Sequence, residues 1–367
     1  MHLFVIAFLS VFSLSNIYLG YRFLSVFKNQ LPVPSWFIVI AWIFLALCSI
    51  LFRNDSSLIA ASITDFFYMI GAYWIVVVFY GFMITVLCDL ISMLQKFTGI
   101  YIFRQSAQLT GYCITAIITL CIIYGTYNAS NPVVKNYHLT IDKKAATKKM
   151  RVFLISDIHL GKIHDGKIIN KIVDKVNELQ PDVLLLAGDT IDSDLKSVYR
   201  KQPLYNLKNA KTKYGIYAIM GNHEYIQRKG KETTDFFEQN GMKVLVNEGV
   251  NLPNGVYLYG RNDFSNDKEA LSLVAEQSKP IIVMDHQPVR IEEAVNNSVD
   301  LLLCGHTHKG QIFPNNLITK RLYKIDYGYE KFNNLNVIVT CGIGTWGPPM
   351  RIGNTPEFVC IDIDFRE

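Results

Sequence analysis

The sequence predicts two parts: four membrane-crossing helices within residues 1–130, and an α/β domain over residues 151–367, joined by a link of residues 131–150. The α/β part is expected to be a two-sheet β sandwich flanked by helices. Three observations predict this. Half of the residues are hydrophobic, and they concentrate before about residue 130. After residue 150, short apolar runs stop at clusters of Asp, Asn, Gly or His, as strands do where their carboxyl ends open onto a site. Between the first two such runs lies a segment with helical spacing, and alternating strands and helices followed by a β-rich part fit layered α/β architecture.

The first apolar run covers about residues 3–27, with no charge before Arg22 and Lys28 just past its end. It lacks the basic start and small-residue cleavage site of a signal peptide. Further runs follow at about residues 36–52, 66–94 and 109–127, the third carrying Asp89 near its end. Each approaches or exceeds the roughly 20 residues that cross a hydrocarbon core. They are nearly uncharged all round, whereas core helices of a soluble bundle would show a charged face. Four spans put both ends of the region on one side. Arg22, Lys28, Lys96 and Arg104 flank the first and third connections, against Arg53 alone at the second, so the positive-inside rule places those two in the cytoplasm and the α/β domain outside. Lys143, Lys144, Lys148 and Lys149 argue the other way from the margin of the counting window. The link should hold a short strand, Tyr137 to Ile141, and a lysine-rich turn that is solvated or meets anionic headgroups.

In the α/β part, Val152 to Ile155 reads as a buried strand. Asp165 to Leu179 places Ile168, Ile169, Ile172, Val173 and Val176 at the spacing of a helix packed on a sheet. Asp182 to Ala187 and Gly215 to Met220 read as strands. A polar, lysine-bearing helix and loop should fill the space between Asp192 and Lys213. A helix over Thr233 to Asn240 precedes strands at Lys243 to Val246 and Gly255 to Tyr259. The seven cysteines contain no Cys-x-x-Cys and fall in or beside apolar runs, so they are expected as buried free thiols. The net charge of +5 is too modest to imply nucleic acid, and no phosphate-binding P-loop or early dinucleotide fingerprint is present.

Asp157 and His159, two positions apart at the end of the first strand, can converge on one object, and a carboxylate with an imidazole suits a cation. Four further strands end in Gly188-Asp189-Thr190-Ile191-Asp192, Gly221-Asn222-His223-Glu224, Asp285-His286 and Gly305-His306-Thr307-His308. Together these blocks resemble the calcineurin-like metallophosphoesterase superfamily, whose ordered signature is Asp-x-His, Gly-Asp-x-x-Asp, Gly-Asn-His-Glu/Asp, a lone His, and Gly-His-x-His. The resemblance covers about residues 150–367. The tail from Gly342 to Glu357 is similar to the closing motif of bacterial membrane-attached members.

The resemblance implies two divalent metal ions. Asp157, His159 and His308 would hold the first, Asn222, His286 and His306 the second, and Asp189 would bridge. Mixed nitrogen and oxygen donors suit Mn, Fe or Zn. His223 would be no ligand but a catalytic group at the phosphate or leaving oxygen. Asp192 and Glu224 would orient an imidazole or tie loops. His164 is expected at the surface rather than at substrate. Arg351 either grips a phosphate as a substrate-binding residue or pairs with Glu357. Asp285 should point away from the rim.

The implied function is hydrolysis of a phosphomonoester, phosphodiester or pyrophosphate. Four spans where one would tether favour a lipid-linked phosphate as the phosphorylated substrate and the membrane as partner, with the chain a multi-pass protein of the cell membrane. A nucleotide or cyclic-nucleotide phosphodiesterase is the alternative, and it would need a stacking aromatic at the rim. A degenerate domain serving as a binding scaffold is a third reading, which intact ligands at every motif oppose.

Overall fold

The computed structural model describes residues 2–53, 59–100, 106–192, 195–226 and 229–366. Arg104, one of the loop charges counted above, lies outside them. The chain divides into two units, Met1–Gly125 and Thr126–Glu367.

Four helices fill the first unit, the last of them continuing into the second: α1 (His2–Phe27), α2 (Ser35–Leu51), α3 (Ala61–Thr98) and α4 (Ala107–Ser130). They stand where four spans are expected. Among the described residues two of them, α3 and α4, are long and apolar enough to cross a membrane, whereas α2 has 17 residues. The structure thus supports two crossing helices by length and composition where four are expected. Large apolar side chains such as Leu14, Ile40, Phe66 and Leu120 point outward, as on helices solvated by lipid. The acidic residue expected near the end of the third run is paired: Arg22 Nη2 of α1 lies 2.7 Å from Asp89 Oδ1 of α3, and Tyr18 donates to the same carboxylate. Pairing of this kind is how charge is accommodated in apolar helices. Of the thiols, Cys48 is buried but Cys113 in α4 is exposed, against expectation, because α4 turns that apolar face outward.

The second unit holds β1 (Val133–Ile141), β2 (Lys149–Ile155), α5 (Gly166–Leu179), β3 (Val183–Ala187), α6 (Leu195–Lys201), β4 (Ile216–Ile219), α7 (Gly230–Gln239), β5 (Lys243–Val244), β6 (Glu248–Asn251) and β7 (Tyr257–Gly260). It continues with β8 (Ile281–Met284), α8 (Ile291–Asn296), β9 (Leu301–Cys304), α9 (Asn315–Leu322), β10 (Gly328–Phe332), β11 (Leu335–Val339) and β12 (Glu357–Phe365). One sheet runs β1-β12-β2-β3-β4-β5 and the other β10-β11-β9-β8-β7-β6. β2 to β5 are mutually parallel, as are β11, β9, β8 and β7, so their carboxyl ends point one way within each sheet. The segment expected as a link supplies a nine-residue edge strand, β1, which pairs in parallel with β12 from Val133↔Glu357 to Ile141↔Phe365. Within it, Lys143 Nζ sits 2.8 Å from Asp300 Oδ2 and is committed to that partner rather than to solvent or headgroups.

The unbroken apolar runs are explained by burial on both faces. Val152, Leu154, Val183, Leu185, Ile282, Met284, Leu301 and Leu303 meet between the sheets. Phe153, Ile155, Leu184 and Leu186 face outward under α5, which contributes Ile169, Ile172, Val173 and Val176. Asp165 caps α5 by accepting from Lys167 N at 3.0 Å, and left-handed Gln180 ends it. Each such fully buried aliphatic side chain contributes about 1.5–3 kcal/mol, so Ile172→Ala would loosen the helix whose strand-to-helix turn carries the first ligand block.

Candidate metal centre

Every expected ligand follows a parallel strand: Asp157 and His159 after β2, Asp189 after β3, Asn222 after β4, His286 after β8, and His306 and His308 after β9. The chain turns sharply there. Asp157, His159, Asp189, His306 and His308 all have left-handed backbones, with φ of 55°, 53°, 50°, 72° and 48°. Such conformations cost about 1–3 kcal/mol each for non-glycine residues and gather at functional sites. Gly305 permits the approach, since a Cβ there would lie 1.9 Å from Ser156 Oγ and 2.4 Å from Asp157 Oδ2.

Three clusters result, each with its ligand atoms within 4.8 Å of one another: Asp157, His159 and His308; Asp189, His286 and His306; and His159, Asp192 and His223. In the first, His308 Nε2 is 3.0 Å from His159 Nε2 and 3.4 Å from Asp157 Oδ1. In the second, His286 Nε2 is 3.1 Å from Asp189 Oδ2. The same Asp189 oxygen is 3.9 Å from His159 Nε2, so this carboxylate faces both clusters. Backbone N–H groups orient the carboxylates: His306 N donates to Asp157 at 3.0 Å and His223 N to Asp189 Oδ1 at 2.9 Å.

The donors fit a cation pair. Asn222 Oδ1 and His159 Nδ1 are buried without a hydrogen-bond partner, a costly state unless something else occupies the lone pair. His286 Nδ1 donates to Ala187 O at 2.8 Å. That contact fixes the ring orientation usual for a metal-binding histidine. Burial, reinforced by neighbouring His223, holds His159 down at about 3, and burial with His159 and Arg351 holds His308 well below its usual value, so both are neutral, as ligation requires. Burial works against charge on His286, yet the Asp189 carboxylate raises it well above the usual imidazole range. Without metal, the acidic groups thus draw in a proton as their positive charge.

His223 belongs to the third cluster, beside the two that Asp189 faces. Its Nδ1 donates to Asp192 O at 2.7 Å and lies 3.0 Å from Asp192 Oδ1, while Nε2 is 4.0 Å from Asp189 Oδ2. Burial opposes its charge, but Asp189 and then Asp192 outweigh it and push the imidazole up to about 9. Glu224 accepts from the N–H groups of Asp189, Ile191 and Gly221 at 3.0, 2.9 and 2.7 Å, tying two ligand loops together. Asp285 points away from the rim to Arg290 and Arg261.

Two expectations are corrected. Arg351 is fully buried and does not pair with Glu357; its guanidinium donates to Cys341 O at 2.7 Å, Gly344 O at 2.5 Å and Asn354 Oδ1 at 2.9 Å, and its Nη2 lies 3.4 Å from Nδ1 of the ligand His308. Glu357 instead accepts from Tyr327 and Thr340. His164 is no surface histidine: its Nε2 accepts from Thr345 N at 3.0 Å, joining the first ligand loop to the closing loop. Two supporting residues carry no sequence signal. Asn354 donates to His308 O at 3.2 Å, and Asn128 in the last turn of α4 donates to Arg351 O and Asn354 O at 3.1 and 2.6 Å. An asparagine in a glycine-rich loop or a helix end looks like ordinary turn chemistry.

A family model described as calcineurin-like phosphoesterase matches residues 150–310. A metallophosphoesterase of Helicobacter pylori J99 is 35% identical over 233 residues, which are 60% of this chain and 61% of that relative. The match therefore spans less than two thirds of that relative's length. A metallophosphoesterase of Aquifex aeolicus is 30% identical over 243 residues, 63% of this chain and 91% of its own. A Danio rerio protein named transmembrane protein with metallophosphoesterase domain is 29% identical over 280 residues, 71% of this chain and 62% of its own. With the family model lying over every ligand-bearing strand, and the Aquifex relative aligned over nearly its whole length, the chain belongs to the calcineurin-like phosphoesterase family.

Proposed function

We propose that the protein is a membrane-anchored, two-metal phosphoesterase that hydrolyses a phosphomonoester, phosphodiester or pyrophosphate bond of a lipid-linked substrate. The observation that carries this reading is the pair of Asp/His clusters, with Asp189 Oδ2 of one lying 3.9 Å from His159 Nε2 of the other and Asn222 Oδ1 buried beside them unpartnered. Asp157, His159 and His308 would hold one cation and Asn222, His286 and His306 the other, with Asp189 serving both. Mn, Fe or Zn suits these donors. When bound, the two cations supply the positive charge that activates the attacking water and neutralises the phosphoryl oxygens. His223, locked by Asp192, keeps its Nε2–H directed at the centre, where it stabilises charge on the phosphoryl group or protonates the leaving oxygen. Glu224 keeps the Asp189 and Asn222 loops in register.

The outward apolar surfaces of α1 to α4 support a multi-pass anchor with four spans, and the loop lysines and arginines support an extracytoplasmic catalytic domain. Two crossings or four leave both ends of the helical region on one side. Turnover tests the substrate class: the full-length chain in vesicles should release phosphate compounds from membrane lipid phosphates faster than from nucleotides. The nucleotide reading gains one observation, because Trp346 is 55% exposed with its ring 6.2 Å from that of His223, placing a stacking aromatic at the rim. A marked preference for nucleotides, lost in Trp346→Ala, would select that reading.

A further inference from the structure

Helix α9 presents its side chains the opposite way from a helix on a soluble surface. None of its eight residues is buried. Leu317 is 60%, Ile318 57% and Leu322 71% exposed. At about 100° per residue these three share one side with Arg321. The other side faces the protein, where Thr319 Oγ1 donates to Asp326 Oδ2 at 2.7 Å. A surface helix ordinarily turns its apolar stripe to the core, and a contiguous apolar face turned outward marks an interaction site.

Two observations say what covers it. Lys320 and Arg321 lie in the last turn and α9 has no acidic residue, the pattern of a helix lying in an anionic lipid interface. The last turn of α4, which belongs to the same unit as α9, also packs near it. Asn128, in the last turn of α4, holds Arg351 O and Asn354 O. Ile352, between them, bridges to Ile312 and accepts from Phe313 N at 2.8 Å, and α9 begins at Asn315. α4, one of the two helices long and apolar enough to cross a bilayer, thus ends beside the segment that leads into α9.

We propose that the Leu317, Ile318 and Leu322 face of α9, flanked by Lys320 and Arg321, docks in the interface of an anionic bilayer and holds the metal centre at headgroup depth. Both ends of α9 are tied to ligand segments. Gly310, two residues past His308, lies so close to α9 that a Cβ there would be 2.2 Å from Asn316 N, and the Tyr323 ring meets that of His306 at 6.2 Å. A phosphate at the bilayer surface then reaches the centre with its apolar chains still in lipid. This consequence rests on the lipid-phosphate reading above; the docking itself does not.

The test uses the full-length chain, one copy per nanodisc, in zwitterionic lipid with and without an anionic phospholipid. An environment-sensitive fluorophore is attached through Ile318→Cys, and in parallel through Glu330→Cys on exposed β10, with the unsubstituted chain labelled to measure background from Cys113. Docking predicts strong quenching at position 318 by lipids carrying a shallow spin label, more in anionic discs, and little at 330. Leu317→Ser/Ile318→Ser/Leu322→Ser should leave turnover of a small aryl phosphodiester unchanged and slow a lipid phosphate in the same discs by about tenfold. Water-like emission at 318, or shielding there without lipid quenching, overturns the proposal, the latter pointing to a protein cover. Quenching at 318 with no lipid phosphate hydrolysed upholds docking and ends the lipid-substrate reading; lipid hydrolysis without quenching does the reverse.

Discussion

Replacing Arg351 with methionine separates a structural arginine from a phosphate-gripping one. The guanidinium is fully buried, and its removal strips donors from Cys341 O, Gly344 O and Asn354 Oδ1. Gly342 O is spared, because Glu357 N also donates to it at 3.2 Å. At about 1–2 kcal/mol for each buried acceptor left unpaired, offset in part by no longer burying a cation, Arg351→Met should cost about 3–5 kcal/mol. For a domain of this size that is a fall in Tm of about 10 °C. Near-ultraviolet circular dichroism of the full-length chain in detergent reads the melt, and turnover of a small aryl phosphodiester well below that Tm reads the site. Arg351→Lys should recover only part of the loss, since one ammonium cannot serve the same fork of acceptors. An unchanged Tm together with a raised KM for the phosphodiester would refute this reasoning and return Arg351 to the substrate.

His223→Asn should keep both ions yet lower kcat by about 10²- to 10⁴-fold, the range for a positioned acid; loss of metal in that variant would make His223 a ligand. His164 accepts the Thr345 N–H, and burial holds its pKa down at about 4. A depressed folded pKa means that its stabilising contribution is whole above about pH 6.5, the unfolded value, and is lost as pH falls toward 4. The Tm of His164→Gln should therefore fall less across that window than that of the unsubstituted chain, and equal slopes would contradict the assignment. Cysteine labelling in intact cells should reach Lys211→Cys and not Lys96→Cys; the opposite pattern would place the catalytic domain in the cytoplasm.

What the sequence made legible follows from where both faces of an element are buried. β2, β3, β8 and β9 are sandwiched between layers, so they read as unbroken apolar runs whose ends could be found by eye, and the rim residues lie just past those ends. α5 was legible because one stripe, Ile169, Ile172, Val173 and Val176, is buried and the rest is not. β1 was harder: only its final residues are buried, and its partner β12 lies at the far end of the chain. α9 breaks the rule outright, since its apolar residues face outward and its sequence is mostly polar. Arg351 reads equally as a phosphate grip or as a partner of Glu357, and His164 as a surface histidine, because a loop sequence does not show what its side chains meet. Only the folded closing loop shows that carbonyl oxygens surround one and a backbone N–H occupies the other.

The most direct measurement titrates Mn²⁺ into the chelated full-length chain while following turnover of an aryl phosphodiester. The shared position of Asp189 between two buried clusters predicts no turnover without metal, activity that saturates at two equivalents per chain, and an Asp189→Asn variant that binds metal weakly and stays inactive. Full turnover in the presence of excess chelator, or an Asp189→Asn variant that binds two ions and works normally, would contradict the two-metal centre.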